Sequence, residues 1–357
     1  MKKISFCIAA ILTAMTMQAE DVVLPANVKP LLPEGVELTI TYLNENIQAK
    51  QQEEQPVIKC GTTLYFAATD AAHGCELWKY DAIAKEAKMV ADVNPGAGSA
   101  NPKWMAKCGN RVFFQADNGV NGAELWVTDG TAANTKMVMD IYPDEVGSAP
   151  FGITALDKDK VVFFAMDEES EWDPVRKDGP ESWVWVSDGT EEGTERIGDT
   201  PTKSDNNGTR GHFVIVNGKA VFVGYSKEFN GTIWATDGTR AGTAPLKNIN
   251  PRESTDGVYD TESASIDHLV AVDGRLAAFR ATTVKEAVGS DIDWGIEVWM
   301  TDGTPDGTKQ LGFAINKEEK VKIRKFIYND YNTEKKLNCP IRLNNRKNKK
   351  INRLWYY

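Results

Sequence analysis

The chain is 357 residues long and 41% hydrophobic, with 51 Asp and Glu against 41 Lys and Arg and a formal net charge of −10. Beyond the N-terminal leader, no apolar run approaches the ~20 residues that a membrane-spanning helix needs. There are three widely spaced histidines and no Ser-His-Asp, nucleophile-elbow, phosphate-loop or Cys-x-x-Cys pattern, which leaves the commonest hydrolase, nucleotide and redox chemistries without a signature and implies no cofactor.

In chain order, the first element is a leader. Met1-Lys-Lys is a basic start, Ile4 to Ala14 a short apolar run, and Met17-Gln-Ala19 before Glu20 a cleavage site. Residues 1–19 are therefore expected to be a signal peptide, and the mature chain to be secreted, periplasmic or at the cell surface. Cys7 lies too early to be a lipid-attachment cysteine. Residues 20–54 form a lead-in punctuated by Pro25, Pro30 and Pro33. Within it Val36–Tyr42 alternates cleanly and reads as one strand, expected to complete or flank the fifth repeat described next.

From residue 55 to 314 the sequence repeats. Glu124-Leu-Trp-Val-Thr-Asp-Gly-Thr131, Trp183-Val-Trp-Val-Ser-Asp-Gly-Thr190, Thr232-Ile-Trp-Ala-Thr-Asp-Gly-Thr239 and Glu297-Val-Trp-Met-Thr-Asp-Gly-Thr304 are near copies, and Glu76-Leu-Trp-Lys-Tyr-Asp81 is a decayed one. The shared Trp falls at 78, 126, 185, 234 and 299, roughly 48 to 65 residues apart. Self-similarity at that period means one supersecondary unit stacked several times.

Each copy reads as four short β runs. In the second these are Trp104–Cys108, Val112–Ala116, Glu124–Thr128 and Met137–Ile141. Asn217-Gly218 and Asp273-Gly274 sit between the first two runs of later copies, and both residue types tolerate the positive φ of a primed hairpin turn. No 3.6-residue apolar period is sustained outside the leader. The expected fold class is all-β: a β-propeller of four-stranded blades, about five of them recognisable. Tandem β-sandwiches are the competitor, but about 48 residues are too few to build one.

Within the motif, Trp and the residue two before it share a strand face, which places the indole between blades. Asp can accept from backbone N–H groups of the turn, Gly supplies conformational freedom and Thr a weaker turn bond. Calcium binding by these loops is the other reading, although they lack the usual run of spaced oxygen ligands. With its downstream Gly193-Thr194, Gly242-Thr243 and Gly307-Thr308, and the tail Asp140-Ile-Tyr-Pro143, the chain resembles the ELWxxDGT repeat family of bacterial exported proteins. That resemblance implies an extracytoplasmic propeller-like repeat and no established reaction. The first copy departs from it at Ala82-Ile83, so its turn is expected to be remodelled.

Cys60 and Cys108 end the first run of adjacent copies, and export permits a disulfide. The alternative is two buried thiols, since equivalent positions in neighbouring blades usually exceed the ~7 Å Cα limit.

Long loops between the second and third runs are the places for chemistry, because binding residues concentrate on variable loops over a rigid scaffold. The third copy has Asp167–Pro180 and the fifth Thr282–Gly295. Both pair Trp with carboxylates: Glu171, Trp172 and Asp173 in one, Asp291, Asp293 and Trp294 in the other. A flat indole beside acceptors suits a sugar ring; the plainer reading is a Trp tucked against its own loop with solvated acids. His212 and His268 begin the first run in neighbouring copies, making them candidates for a metal at a shared channel mouth, with His73 in a nearby loop.

Residues 317–357 are different in kind, with 13 Lys and Arg against 4 Asp and Glu and no Gly. This basic tail is expected to be an out-of-frame or truncated end of a longer repeat protein, and export argues against nucleic acid as its partner. The functional expectation is an exported, non-catalytic propeller presenting a loop face to a glycan or an extracellular protein. A carbohydrate-active enzyme and a purely structural or adhesive repeat protein are the alternatives. The enzyme would need two carboxyls roughly 5–10 Å apart across the channel.

Overall fold

The structure, a computed structural model, describes residues 33, 37–38, 57–168, 170, 181–203, 212–224, 232–249, 266–288 and 291–311. The leader, most of the lead-in and the basic tail lie outside the described residues. Contacts divide the chain into Met1–Gln310 and Leu311–Tyr357, and the strands among the described residues lie in the first unit.

After β1 (Glu37–Leu38), blade one is β2 (Val57–Cys60), β3 (Thr63–Asp70), β4 (Gly74–Asp81) and β5 (Glu86–Met89). Blade two is β6 (Lys103–Cys108), β7 (Arg111–Asp117), β8 (Ala123–Thr128) and β9 (Lys136–Met137). Blade three is β10 (Phe151–Ala155), β11 (Val161–Ala165), β12 (Glu181–Ser187) and β13 (Glu195–Lys203). Blade four is β14 (Val214–Val216), β15 (Lys219–Gly224), β16 (Thr232–Thr236) and β17 (Ala244–Lys247). Blade five is β18 (Ile266–Ala271), β19 (Ala277–Val288), β20 (Asp291–Thr301) and β21 (Lys309–Gln310). Each is an antiparallel meander pairing in chain order, and one 3₁₀ turn, Ala132–Asn134, is the only helical segment among the described residues. This is the expected β-propeller of four-stranded blades.

Two details depart from expectation. β1 flanks blade one, not blade five: Glu37 and Leu38 pair with Thr69 and Ala68 of β3. The register explains it, because β2 covers only Thr63–Phe66 and leaves the end of the longer β3 with a free edge. The fourth strand of blade two is also shorter than the sequence pattern, pairing at Lys136 and Met137 alone. Beyond Val138, whose N–H still reaches the Leu125 carbonyl, the chain leaves the sheet for a buried carboxylate described below.

The blades stack through one repeated arrangement. Phe66, Phe114, Phe163, Phe222 and Phe279 each lie directly opposite the repeat Trp of the next strand. In blades two to five that Phe–Trp face packs on the opposite face of the preceding blade. Trp126 and Phe114 meet Tyr65 and Leu77; Trp185 and Phe163 meet Phe113 and Val127. Trp234 and Phe222 meet Phe164 and Val184; Trp299 and Phe279 meet Val223 and Ile233. Trp78, Trp126, Trp185 and Trp299 are buried and Trp234 is partly so; all but Trp78, whose cluster is confined to blade one, lie between blades as expected. Each such aromatic contributes roughly 2–3 kcal/mol by burial.

Cations reinforce the stack in the same direction. Lys79 Nζ donates to the Gly130 carbonyl at 2.6 Å, Arg111 to the Asp188 carbonyl at 2.5 Å and Lys219 to the Gly303 carbonyl at 3.4 Å. Each runs from one blade to the Asp-Gly turn of the next. The thiols follow the same sense: Cys60 Sγ is directed to the Gly109 carbonyl and Cys108 Sγ to the Asp157 carbonyl. Each points onward, so the two never meet, and both are free.

The Asp-Gly-Thr turns close on themselves. In blade four Asp237 Oδ1 accepts from the Thr239 N–H (3.0 Å) and hydroxyl (2.6 Å). The Thr236 hydroxyl meets that of Thr243 at 2.7 Å and accepts from the Gly238 N–H. The same bonds recur in blades two, three and five. A methyl group on Gly193, Gly242 or Gly307 would overlap the carboxyl of Asp188, Asp237 or Asp302, which is why glycine recurs there. Blade one lacks this loop: Asp81 Oδ1 accepts from Ile83 and Ala84, and Lys85 takes a positive φ of 55° before β5, the remodelling expected of Ala82-Ile83.

Candidate functional site

In blades one and two the residue two before the repeat Trp is a Glu that holds the outgoing chain. Glu76 accepts from the N–H groups of Val93 and Asn94, both at 3.1 Å. Glu124 accepts from the N–H groups of Tyr142 (3.1 Å) and Ser148 (2.8 Å) and from the Ser148 hydroxyl (2.6 Å). Both side chains are fully buried, and burial pushes each carboxyl up to about 7 against the pull of these donors. They are loop clamps, with their oxygens turned to the backbone of their own blade.

Blade three breaks the pattern by placing Trp183 there. The indole cannot accept a bond, and instead the Arg196 guanidinium lies over it, 3.8 Å from the ring centroid. The planar cation gains from the ring face while its N–H groups stay free to bind acids. Arg196 pairs with Asp167 at 3.1 Å, each side chain only 14% exposed, and with Asp199 at 3.2 Å. Asp199 in turn pairs with Arg240 from the Asp-Gly-Thr turn of blade four, through contacts of 2.5 and 3.0 Å.

These four residues line an open groove of about 800 Å³ with Glu168 and, from blade two, Met139, Asp140, Ile141 and Pro143. Asn121 donates to Asp140 Oδ2 at 2.7 Å, whereas Asp140 Oδ1 is buried without a hydrogen-bond partner. Asp167 and Glu168 are the foot of the long loop singled out in the sequence, where Ser170 N–H donates to the Asp167 carbonyl at 2.9 Å. Sequence reasoning found the loop and missed the groove that its first residues, Asp167 and Glu168, line. Its signal was the Trp183 substitution at a position held by Glu in three of the five copies.

The predicted site residues fall in several places. Glu171, Trp172 and Asp173 lie outside the described residues. Asp291, Asp293 and Trp294 are not on a loop: their backbone lies in β20, opposite Val288, Glu286 and Val284 of β19. The β-branched run through Thr282, Thr283 and Val284 continues the ladder, turning the expected loop into extended strands of 12 and 11 residues. His212 is buried, with Nε2 placed 2.9 Å from the Leu269 carbonyl to which it donates. Burial lowers its pKa, so it tethers blade four to blade five as a neutral ring. His268 lies in β18. His73 pairs with Asp70 at 3.0 Å. Among the described residues no three His, Cys, Asp or Glu side chains are grouped to hold a metal ion, and no helix is long and apolar enough to cross a membrane.

No family model matches the chain. Among curated proteins, too, nothing matches. Similar solved structures include a puromycin-hydrolysing peptidase of Mycobacterium tuberculosis, with TM-score 0.39 and 12% identity over 74% of this chain and 39% of that one. A putative TolB from Agrobacterium tumefaciens has TM-score 0.33 and 10% identity, over 71% of this chain and 77% of that one. A thermostable family-43 glycoside hydrolase has TM-score 0.31 and 13% identity, over 76% and 96%. The chain spans about two fifths of the peptidase, and the activities in these names belong to those proteins.

Proposed function

We propose that this chain is an exported, non-catalytic propeller of the ELWxxDGT kind that binds an extracellular partner, a glycan before a surface protein, in the groove between blades two, three and four. The observation that carries this reading is the groove itself, built where blade three departs from the repeat and set at the foot of its longest loop. Carboxylates and guanidinium groups held in fixed planes are the polar groups that read hydroxyl patterns, and the Arg196–Trp183 stack holds them in place. Support for a non-catalytic role comes from how the acids are engaged. Asp167 and Asp199 are tied to Arg196 and Arg240, and Glu76 and Glu124 to their own loops, whereas glycoside hydrolysis uses two carboxyls available to the reacting bond.

A glycan array tests the reading. The wild type should show a defined binding profile that an Asp199→Ala/Arg240→Ala variant loses, both side chains being more than half exposed and hence replaceable without unfolding. An unchanged profile would remove the groove from the argument. Glycosidic cleavage by the wild type would make the chain an enzyme.

A further inference from the structure

The charges of the groove are unequal, and their pairing shows which are left over. Both guanidinium groups are used: Arg196 on Asp167, Asp199 and the Gly198 carbonyl, Arg240 on Asp199. Among the described residues two carboxylates remain without a cation. Asp140 has one oxygen on Asn121 and the other buried with no donor, leaving negative potential just beneath the wall. Glu168 is exposed on the rim and has no ion-pair partner among the described residues. Among the described residues the groove thus offers acceptors and uncompensated negative charge, and no free positive group.

Resting on the saccharide reading above, we infer that the groove selects an amine-bearing sugar over its N-acetylated, neutral or acidic counterparts. An ammonium brings donors and positive charge to the side where both are missing, whereas a uronic acid meets only carboxylates. A basic peptide shares the ammonium, and the strand addition by which extended peptides commonly dock needs an open outer strand. The outer strand here, β13, is blunted against that by Pro201 and by irregular pairing with β12 between Ser182 and Trp185.

The test is calorimetric titration of the full chain with a glucosamine oligosaccharide, its N-acetylated counterpart, a uronic acid oligosaccharide and a lysine-rich peptide. It is run at mildly acidic pH, where the amine is charged. The amino sugar should bind at least ~10-fold tighter than the N-acetylated form and lose affinity in high salt. Glu168→Gln should weaken it ~3-fold, the scale of one exposed charge pair. Arg240→Gln, which takes away one of the two guanidinium partners of Asp199, should strengthen it, a gain that no folding defect would produce. Equal binding of amino and N-acetylated sugars overturns the amine inference and leaves the saccharide reading intact. Binding of the peptide alone overturns both, as does the absence of any saccharide binding.

Discussion

Phe163 and Trp185 face each other in register across β11 and β12, their ring centroids 6.4 Å apart and their planes 26° from parallel. Phe222 and Trp234 repeat the geometry at 6.4 Å and 28°, and Phe279 and Trp299 at 6.3 Å and 15°. The pair acts as one slab, and the slab sets the spacing to the blade before it. None of the five repeat indoles finds a hydrogen-bond acceptor for its N–H, so their contribution is apolar area and ring contact.

Removing either half of the slab should cost heavily. Phe163→Ala and Trp185→Ala are each expected to destabilise by ~3–5 kcal/mol, the scale for emptying a large aromatic site. The double variant should cost less than the sum, because the two rings share contacts. Denaturant midpoints measure this, and an unmoved midpoint for Trp185→Ala would break the blade assignment.

The turn loops give a subtler test. Thr236→Val keeps the shape but deletes the hydroxyl that meets Thr243 and receives the Gly238 N–H. The Thr243 hydroxyl keeps its bond to the Thr239 carbonyl, but leaving the buried Gly238 N–H unpaired should cost ~1–3 kcal/mol. Thr239→Val acts on the exposed side of the same turn and should cost less. Equal melting temperatures for wild type and Thr236→Val would show that the hydroxyl pair is dispensable.

Stability should also fall on the alkaline side. Glu76 and Glu124 are pushed up to about 7 from an ordinary 4.5, so as pH rises the unfolded chain gives up these protons first. Their contribution is complete below the unfolded value and is lost as pH climbs through the folded one, by up to ~3 kcal/mol per site. Two other sets act in the opposite sense. Asp129, Asp188 and Asp237, held low chiefly by Thr hydroxyls, lose their contribution only as pH drops below the usual 3.8. His212, lowered by burial, loses its own as pH falls below the ordinary 6.5. Comparing wild type with Glu76→Gln/Glu124→Gln isolates the clamps: between about pH 5 and pH 8 the wild-type melting temperature should drop more steeply. Parallel curves would contradict the assignment.

The thiols should differ in reach but never pair. Cys60 is partly exposed and Cys108 is 1% exposed, so native-state alkylation should label Cys60 first. Peptide mapping after mild oxidation should find no Cys60–Cys108 bridge. Finding one in folded protein would contradict the onward direction of both side chains.

The blades were legible because Trp and Asp-Gly-Thr recur at fixed offsets and each has one physical job. The Phe partner was legible in part: it precedes Trp by 12 residues in blades one, two and four, and long insertions mask the offset in blades three and five. The Glu clamp was not foreseen, since a carboxylate on a strand reads as solvated until the returning loop is seen wrapped around it. Thr282–Gly295 was misread as a loop because carboxylates and Gly295 interrupt a run that still alternates well enough to pair. The groove left a single trace in the sequence, Trp183 where three copies have Glu, and its wall could not be read. Asp140, Asp167, Asp199 and Arg240 come from three blades, and only the stacking brings them to one wall.

The onward-pointing ties give the stack a polarity, with consequences for how its length can change. In blades two and four, a unit cut between one Asp-Gly turn and the next carries a slab for the blade behind it and a cation for the blade ahead. It is half of two interfaces and complete in neither, so a lone copy has little reason to fold. Spliced between two others, the same unit meets both halves it lacks. Blade number is therefore a quantity that duplication can alter without inventing a new contact, and a wall shared by three consecutive blades, like the groove, moves or vanishes with each such insertion.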